Sequence, residues 1–305
     1  MKVLVTGGAG FIGSYVVKRL IKLGYDVRVL DNFSRGKRDN LADVLGQIDL
    51  ISGDIRDQEA VKKSIKGIDV VIHMAALVDV RESVKKPLLY HEVNSTGTLN
   101  LLYGSVKQGV KRFIYASTCA VYGNPVKLPI SEDHPLNPLS PYAASKLSAE
   151  NYCRAFSKSY GLKTTIFRFF NVYGPRKNIN SYSGVIIEFI KRIKSDKPPI
   201  IFGSGEQTRD FIFIDDAVEF VIRSVENDIE GVFNVGSGES TSINNLSELL
   251  LKIMRKEHLK PIHTSPRPGE IKNSQADISK ACKVFNYRPR VSLEEGLRRV
   301  INAVN

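Results

Sequence analysis

At 305 residues, with 42% apolar and 25% charged side chains, the chain has the composition of a globular protein. It is large enough for one sizeable α/β unit with an appendage, or for two modest domains. No apolar run reaches the roughly 18 residues of a membrane-spanning helix, and the cysteines Cys119, Cys153 and Cys282 lack metal-ligand spacing, which argues against a disulfide framework and against a metal site. The net charge of +12 is scattered in pairs such as Lys62-Lys63 and Lys85-Lys86, so solvated helix faces, not a nucleic-acid partner, account for it.

The first strand spans 2–6 with no secretion signal ahead of it, which together with the unpaired cysteines points to a cytoplasmic location. A glycine cluster follows, and 14–23 has helical spacing of apolar residues up to Gly24. Further strands fall at 26–30, closing on Asp31, at 48–52, 69–73, 112–116 and 164–169. Helices fall at 60–65, 93–108 and 143–160, and 124–140 reads as a Pro-rich loop over the site. Alternation of this kind implies a doubly wound parallel sheet, and strands that are apolar throughout imply helices on both faces.

Beyond Asn171 the pattern becomes mixed. Helices are expected at 185–193, 215–225, about 242–257 and from 292; short strands at 200–202, 211–214 and 232–235; an irregular segment at 261–270. The expected organisation is an α/β Rossmann domain over 1–170, to which 209–236 returns, and a smaller mixed α/β substrate lobe from 171–208 and 237–305.

Gly7, Gly10 and Gly13 stand at three-residue intervals between a strand and a helix. Glycines there let the backbone approach a pyrophosphate, and the helix N-terminus, opening on Phe11 and Ile12, supplies N–H donors. Asp31 ends the second strand, where an acid can hold ribose hydroxyls. Its charge would repel a 2′-phosphate, so NAD is expected over NADP. Arg35, Lys37 and Arg38 just beyond form either a solvated loop or a phosphate clamp. Asp54, in Gly53-Asp54-Ile55, is either a turn aspartate or an acceptor for the adenine amine.

Tyr142 and Lys146 are four residues apart in Ser140-Pro141-Tyr142-Ala143-Ala144-Ser145-Lys146. Ser140 suits a helix cap and Pro141 the first helical position, so both side chains share one face. A phenol beside an ammonium is a candidate general base, with its pKa drawn down from about 10. The plainer alternative is an exposed Tyr opening an Ala-rich helix. Thr118 ends the fifth strand, where ligand crevices form, and Ser117 is its neighbouring alternative.

Together, the Gly-x-x-Gly-x-x-Gly turn, Tyr142-x-x-x-Lys146, His73-Met74-Ala75-Ala76 and the segment from Tyr115 to Gly123 resemble the extended short-chain dehydrogenase/reductase superfamily. Asn171-Val172-Tyr173-Gly174-Pro175, Arg209-Asp210-Phe211 and Arg267-Pro268-Gly269-Glu270 resemble its sugar-nucleotide epimerase branch. The resemblance implies a retained NAD, held by Gly7 to Gly13, Asp31, Asn32, Asp54, Ile55, Ala75, Asn94, Tyr142 and Lys146. It implies a UDP-hexose oxidised and re-reduced at carbon 4, as between UDP-glucose and UDP-galactose, with Tyr142 as base, Lys146 acidifying it and Thr118 relaying the proton. Arg209 and Arg267 would hold the diphosphate, Glu270 the uridine ribose and Asn171 the sugar or diphosphate, while Asn94 could equally be structural. Ser274 aligns with a pocket position where a small residue admits an N-acetyl group. Cys119-Ala120 replaces the Asp-Glu pair of the dehydratase branch, which disfavours 4,6-dehydration. UDP-N-acetylglucosamine or UDP-uronate epimerisation and UDP-uronate decarboxylation are the nearby alternatives. Homodimerisation through helices like 94–108 and 143–160 is expected as well.

Overall fold

The computed structural model describes residues 1–175, 184–266 and 271–303. Its first half alternates β1 (Lys2–Thr6), α1 (Phe11–Lys22), β2 (Asp26–Asp31), β3 (Ile48–Ser52), α2 (Gln58–Ile65) and β4 (Val70–His73). Two short helices, α3 (Val80–Lys85) and α4 (Pro87–His91), then lead through a π-turn at Glu92–Thr96 into α5 (Gly97–Lys107). After these come β5 (Arg112–Thr118), α6 (Pro141–Tyr160) and β6 (Lys163–Phe169). The remainder holds β7 (Asn171–Tyr173), α7 (Gly184–Lys194), β8 (Ile200–Phe202), β9 (Thr208–Arg209), β10 (Phe211–Phe213), α8 (Ile214–Glu226) and β11 (Gly231–Val235). It closes with β12 (Thr241–Ser242), α9 (Ile243–Ile253), β13 (Ile262–Thr264), α10 (Ser279–Phe285) and α11 (Leu293–Ala303).

Seven strands form one sheet in the order β3-β2-β1-β4-β5-β6-β11, parallel throughout. Side chains alternate across a strand, so each strand feeds two cores. Val3, Val5, Val27, Val29 and Ile72 face the layer that includes α1 and α8. Leu4, Leu30, Val71, Phe113 and Tyr115 face α2, α5 and α6. This is the doubly wound α/β fold expected from the sequence. Strand order reverses between β1 and β4, and ligands of such sheets bind at that switch point, outside the C-terminal strand ends.

Four departures have physical causes. Residues 262–264 are a strand, not irregular chain, because Ile262 to Thr264 find parallel partners in Ile200 to Phe202, a pairing invisible to local pattern. The helix expected from residue 93 becomes regular only at Gly97; the wider π-turn ahead of it buries Asn94 and Ser95. The short helices 80–85, 87–91 and 279–285 are too brief to show helical periodicity. Strands 171–173, 208–209 and 241–242 exist only through their partners. No helix among the described residues is long and apolar enough to cross a membrane.

Candidate active site

Two adjoining cavities of about 320 Å³ each share Gly7, Gly10, Arg35, Met74 and Ala76 in their walls, and so form one cleft at the switch point. Its outer half is lined by Asp31, Asn32, Asp54, Ile55 and Ala75. Its inner half is lined by Phe11, Ile12, Gly13, Thr118, Tyr142 and Lys146.

The glycine turn explains the opening. Gly7 sits at φ +68°, and a Cβ there would come within 2.7 Å of the Ala75 backbone. At Gly13 a Cβ would stand 2.2 Å from the Gly7 carbonyl oxygen. A Cβ on Gly10 meets only that same oxygen, at 3.0 Å, so otherwise it would project into the cleft. No side chain caps α1; its first turn faces the space where an anion would lie. Asp31 accepts from Ala9 N at 2.9 Å and Phe33 N at 2.8 Å. Burial raises its pKa against those two bonds. Its carboxylate lies in the cleft wall with acceptor capacity left for two ribose hydroxyls. A Gly-walled passage ending on a carboxylate suits a dinucleotide without a 2′-phosphate.

The basic loop after β2 is not a free clamp. Arg35 pairs with Glu82 of α3 across the cleft mouth, and Arg38 stacks over Phe33 at 5.3 Å. Asp54 is bound by Arg56 and by Asn32 at 2.8 Å, and the Arg56 bonds lower its pKa to about 2. It therefore lines the outer half of the cleft as a carboxylate engaged on its protein side.

Asn94 lies behind the cleft wall, not in it. It exchanges two bonds of 2.9 Å with the Leu77 backbone and donates to Ser145 Oγ at 3.0 Å. Both amide hydrogens are spent, so Asn94 is a strut between the chain after β4 and α6. Of the two roles the sequence left open for Asn94, these bonds are those of the structural one.

At the inner end, Ser140 caps α6 by accepting from Ala143 N at 3.1 Å, with Pro141 at the first position. Tyr142 is thereby buried against Tyr90, ring centroids 6.4 Å apart. Thr118 is the neighbouring hydroxyl that acts to lower the phenol's pKa, and its Oγ1 accepts from Ala120 N at 3.2 Å. Ser117 instead donates to Glu150, which separates the two hydroxyls: Thr118 serves the site and Ser117 the interior.

The expected lowering of the Tyr142 pKa is not found in the protein by itself. Burial pushes it up to about 12, with Thr118 acting against it. Lys146 is 3% exposed, and burial lowers it to about 7. Its ammonium rests 4.4 Å above the Tyr115 ring, a seat that sequence reasoning missed although Phe113, Tyr115 and Ser117 alternate toward α6. Glu82 and Lys86, also in the cleft wall, were missed too; the signal was Asp79-x-x-Glu82, whose Asp79 caps α3 by accepting from Glu82 N at 2.8 Å.

The Lys146 shift has a consequence for stability. Between pH about 7 and the ordinary 10.5, the unfolded chain carries a proton that the native one lacks, so stability rises with pH in that window. In urea denaturation of the cofactor-free protein, the difference between wild type and Lys146→Met should grow in favour of wild type from pH 7 to 9.5, by up to about 1.4 kcal/mol per pH unit. A difference independent of pH would contradict the assignment.

Arg209, Ser274 and Asn171 lie outside the walls of the two cavities. Asp210 is buried and accepts from Ser237 N at 2.6 Å, Ser237 Oγ at 2.8 Å, and Gly238 N and Ala276 N at 3.0 Å each. This tether sets its neighbour Arg209, which donates to Thr208 O at 2.8 Å, beside Ser274, whose N–H donates to Thr208 Oγ1 at 3.3 Å. Burial raises the pKa of the nearby Cys119 thiol to about 12, with Ser274 acting slightly against it. Asn171 donates to Asp210 O at 3.0 Å. The loop before α6 closes on the lobe through Ile130, which bonds Gln275 O and Asp277 N at 2.8 Å. Arg267 and Glu270 lie outside the described residues.

Residues 3–236 match the model of the NAD dependent epimerase/dehydratase family. The chain belongs to that family. It is 40% identical to the UDP-glucose 4-epimerase of Thermotoga maritima, solved with UDP-glucose; the match covers 100% of this chain and 98% of that one, with a TM-score of 0.95. It is 38% identical to the UDP-N-acetylglucosamine 4-epimerase of Methanobrevibacter ruminantium, solved with UDP-N-acetylmuramic acid, over 99% and 97% of the two chains, with a TM-score of 0.94. A UDP-glucose 4-epimerase of Mycolicibacterium smegmatis is 35% identical over 99% of this chain and 97% of its own. As a family member the protein takes NAD, and the residues of its cleft fit that cofactor.

Proposed function

We propose that this family member is a UDP-hexose 4-epimerase that interconverts UDP-glucose and UDP-galactose. The observation that carries the reading is that Thr118, Tyr142 and Lys146 share one wall at the inner end of the cleft, with Cys119-Ala120 where a dehydrating enzyme would need an acid.

Bound NAD, held by the turn from Gly7 to Gly13 and by Asp31, would supply the hydride chemistry at carbon 4 of the sugar. Tyr142 takes the proton of the 4-hydroxyl and gives it back. Thr118 bonds the sugar oxygen and connects it to the phenol. Lys146, cationic when the site is charged, opposes the rise that burial imposes on Tyr142. Arg209, held by the Asp210 tether, meets the diphosphate. Asn171 holds the sugar end, and Arg267 and Glu270 are assigned to diphosphate and uridine by the motif alone.

One observation favours a wider substrate range. Ser274, 5% exposed, neighbours Cys119, and small side chains at both positions favour acceptance of an N-acetyl group. Incubation with NAD and UDP-galactose, UDP-N-acetylgalactosamine or UDP-glucuronate, read by NMR of the anomeric proton, tests the reading. UDP-glucose should form from UDP-galactose, and UDP-N-acetylglucosamine from its 4-epimer at comparable kcat/KM. Release of CO₂ from the uronate, or no change at carbon 4 in any sugar, would overturn it.

A further inference from the structure

Tyr142, Lys146 and Glu150 occupy successive i, i+4 positions on α6, one stripe facing β5 and β6. Glu150 is fully buried. Arg168 of β6, fully buried too, reaches it from Nε at 3.1 and 3.2 Å and from Nη2 at 2.8 Å. Ser117 donates to the same carboxylate, and Arg154 approaches its outer edge at 3.7 Å. The far end of Arg168 donates to Tyr122 Oη and to Glu132 O, both at 3.0 Å, and Tyr122 donates to Asn234 Oδ1 at 2.7 Å. One carboxylate therefore joins the helix of the Tyr–Lys pair to the residue that precedes Thr118 and to the next two strands. Buried ion pairs are poor stabilisers compared with apolar packing, so stability alone is a weak reason for this one.

The groups facing Lys146 come from several elements. Tyr115 lies under it from β5; Tyr142, Glu150 and Cys153 share its helix; Arg35 shares the cleft wall. His73 comes from β4, its Nδ1 2.7 Å from Thr6 Oγ1 and its Nε2 2.9 Å from Thr98 Oγ1. Burial, with the Lys146 charge, keeps this imidazole neutral. Cys153 is likewise a neutral thiol, since burial raises its pKa far above the ordinary value. Glu150, one turn along α6 from Lys146, is then the acidic group on that helix, and it is paired with Arg168.

We propose that Glu150 is a positioning residue: held as a carboxylate by Arg168 and Ser117, it keeps the Lys146 ammonium charged inside the cleft and fixes the end of β5 that carries Thr118. The role rests on the reading that Tyr142 and Lys146 carry the proton transfer. Burial drags Lys146 down to about 7, and the Glu150 charge opposes it.

The test follows the Lys146 side chain directly. Protein labelled with ¹³C at lysine Cε is titrated by NMR, with Lys146→Met assigning the resonance, in wild type, Glu150→Gln and the double variant Glu150→Gln/Arg168→Gln. The double variant leaves no unpaired buried charge, which guards against simple misfolding. In both variants the Lys146 midpoint should fall by about one pH unit, a tenfold change in proton affinity, and the pH profile of kcat/KM should move the same way. A midpoint within about 0.3 unit of wild type in both variants, even with activity lost, would overturn the proposal and leave Glu150 a structural residue. A shifted midpoint in an enzyme that turns over no UDP-sugar would support the electrostatic role while removing the catalytic reading beneath it.

Discussion

Tyr142→Phe should lower kcat for UDP-sugar epimerisation by about a hundredfold to ten-thousandfold, while calorimetric binding of NAD and of the UDP-sugar stays near wild type. The ring keeps its edge-on packing against Tyr90, so the inner wall of the cleft survives. What disappears is the phenolic oxygen beside Thr118 in the same wall. Without it the sugar hydroxyl has no acceptor for its proton, because Ser117 is committed to Glu150 and Cys119 is held as a thiol by burial. Asp31, in the outer half of the cleft, and the backbone of the glycine turn are untouched. Near-normal kcat in this variant would remove Tyr142 as the base.

Gly13→Ala should cost both cofactor and stability. Its Cβ would stand 2.2 Å from the Gly7 carbonyl oxygen and 2.9 Å from Gly8 Cα. All of these are backbone atoms of the turn itself, so α1 must move away from β1. Overpacking of this sort costs about 1–3 kcal/mol, and the displaced helix N-terminus loses its aim at the pyrophosphate. NAD affinity should fall by about a hundredfold, or about 2.7 kcal/mol. Gly24→Ala is the control. Its φ is positive, +79°, unlike that of Gly13, and nothing lies within 4 Å of its Cβ, so it should cost about 1–2 kcal/mol of stability and leave NAD binding alone. Equal NAD loss in the two variants, by calorimetry, would show that strain and not the turn geometry governs the site.

What could be read in the sequence was local. The strand–glycine–helix entry, the cap of Ser140-Pro141, the Gly161 stop of α6 at φ +68° and the acid at the end of β2 all depend on neighbours within a few residues. Harder to read were pairings between distant segments. β13 exists because Ile200 to Phe202 lie beside it. Asn94 became a strut because the π-turn rotates it toward Leu77 and Ser145, and no local pattern announces a π-turn.

The sequence alone determined the sheet, the cofactor turn and the Tyr–Lys spacing, because hydrophobic period, turn chemistry and helix caps are short-range properties of the chain. Only the tertiary structure decided the charge states at the site and the partners of its side chains. The Tyr142 and Lys146 shifts follow from desolvation by everything packed over α6, and desolvation is a property of three-dimensional burial. The same holds for the division of labour between Ser117 and Thr118. The two hydroxyls are adjacent in sequence but point to opposite faces of β5, one toward buried Glu150 and the other toward the phenol in the cleft.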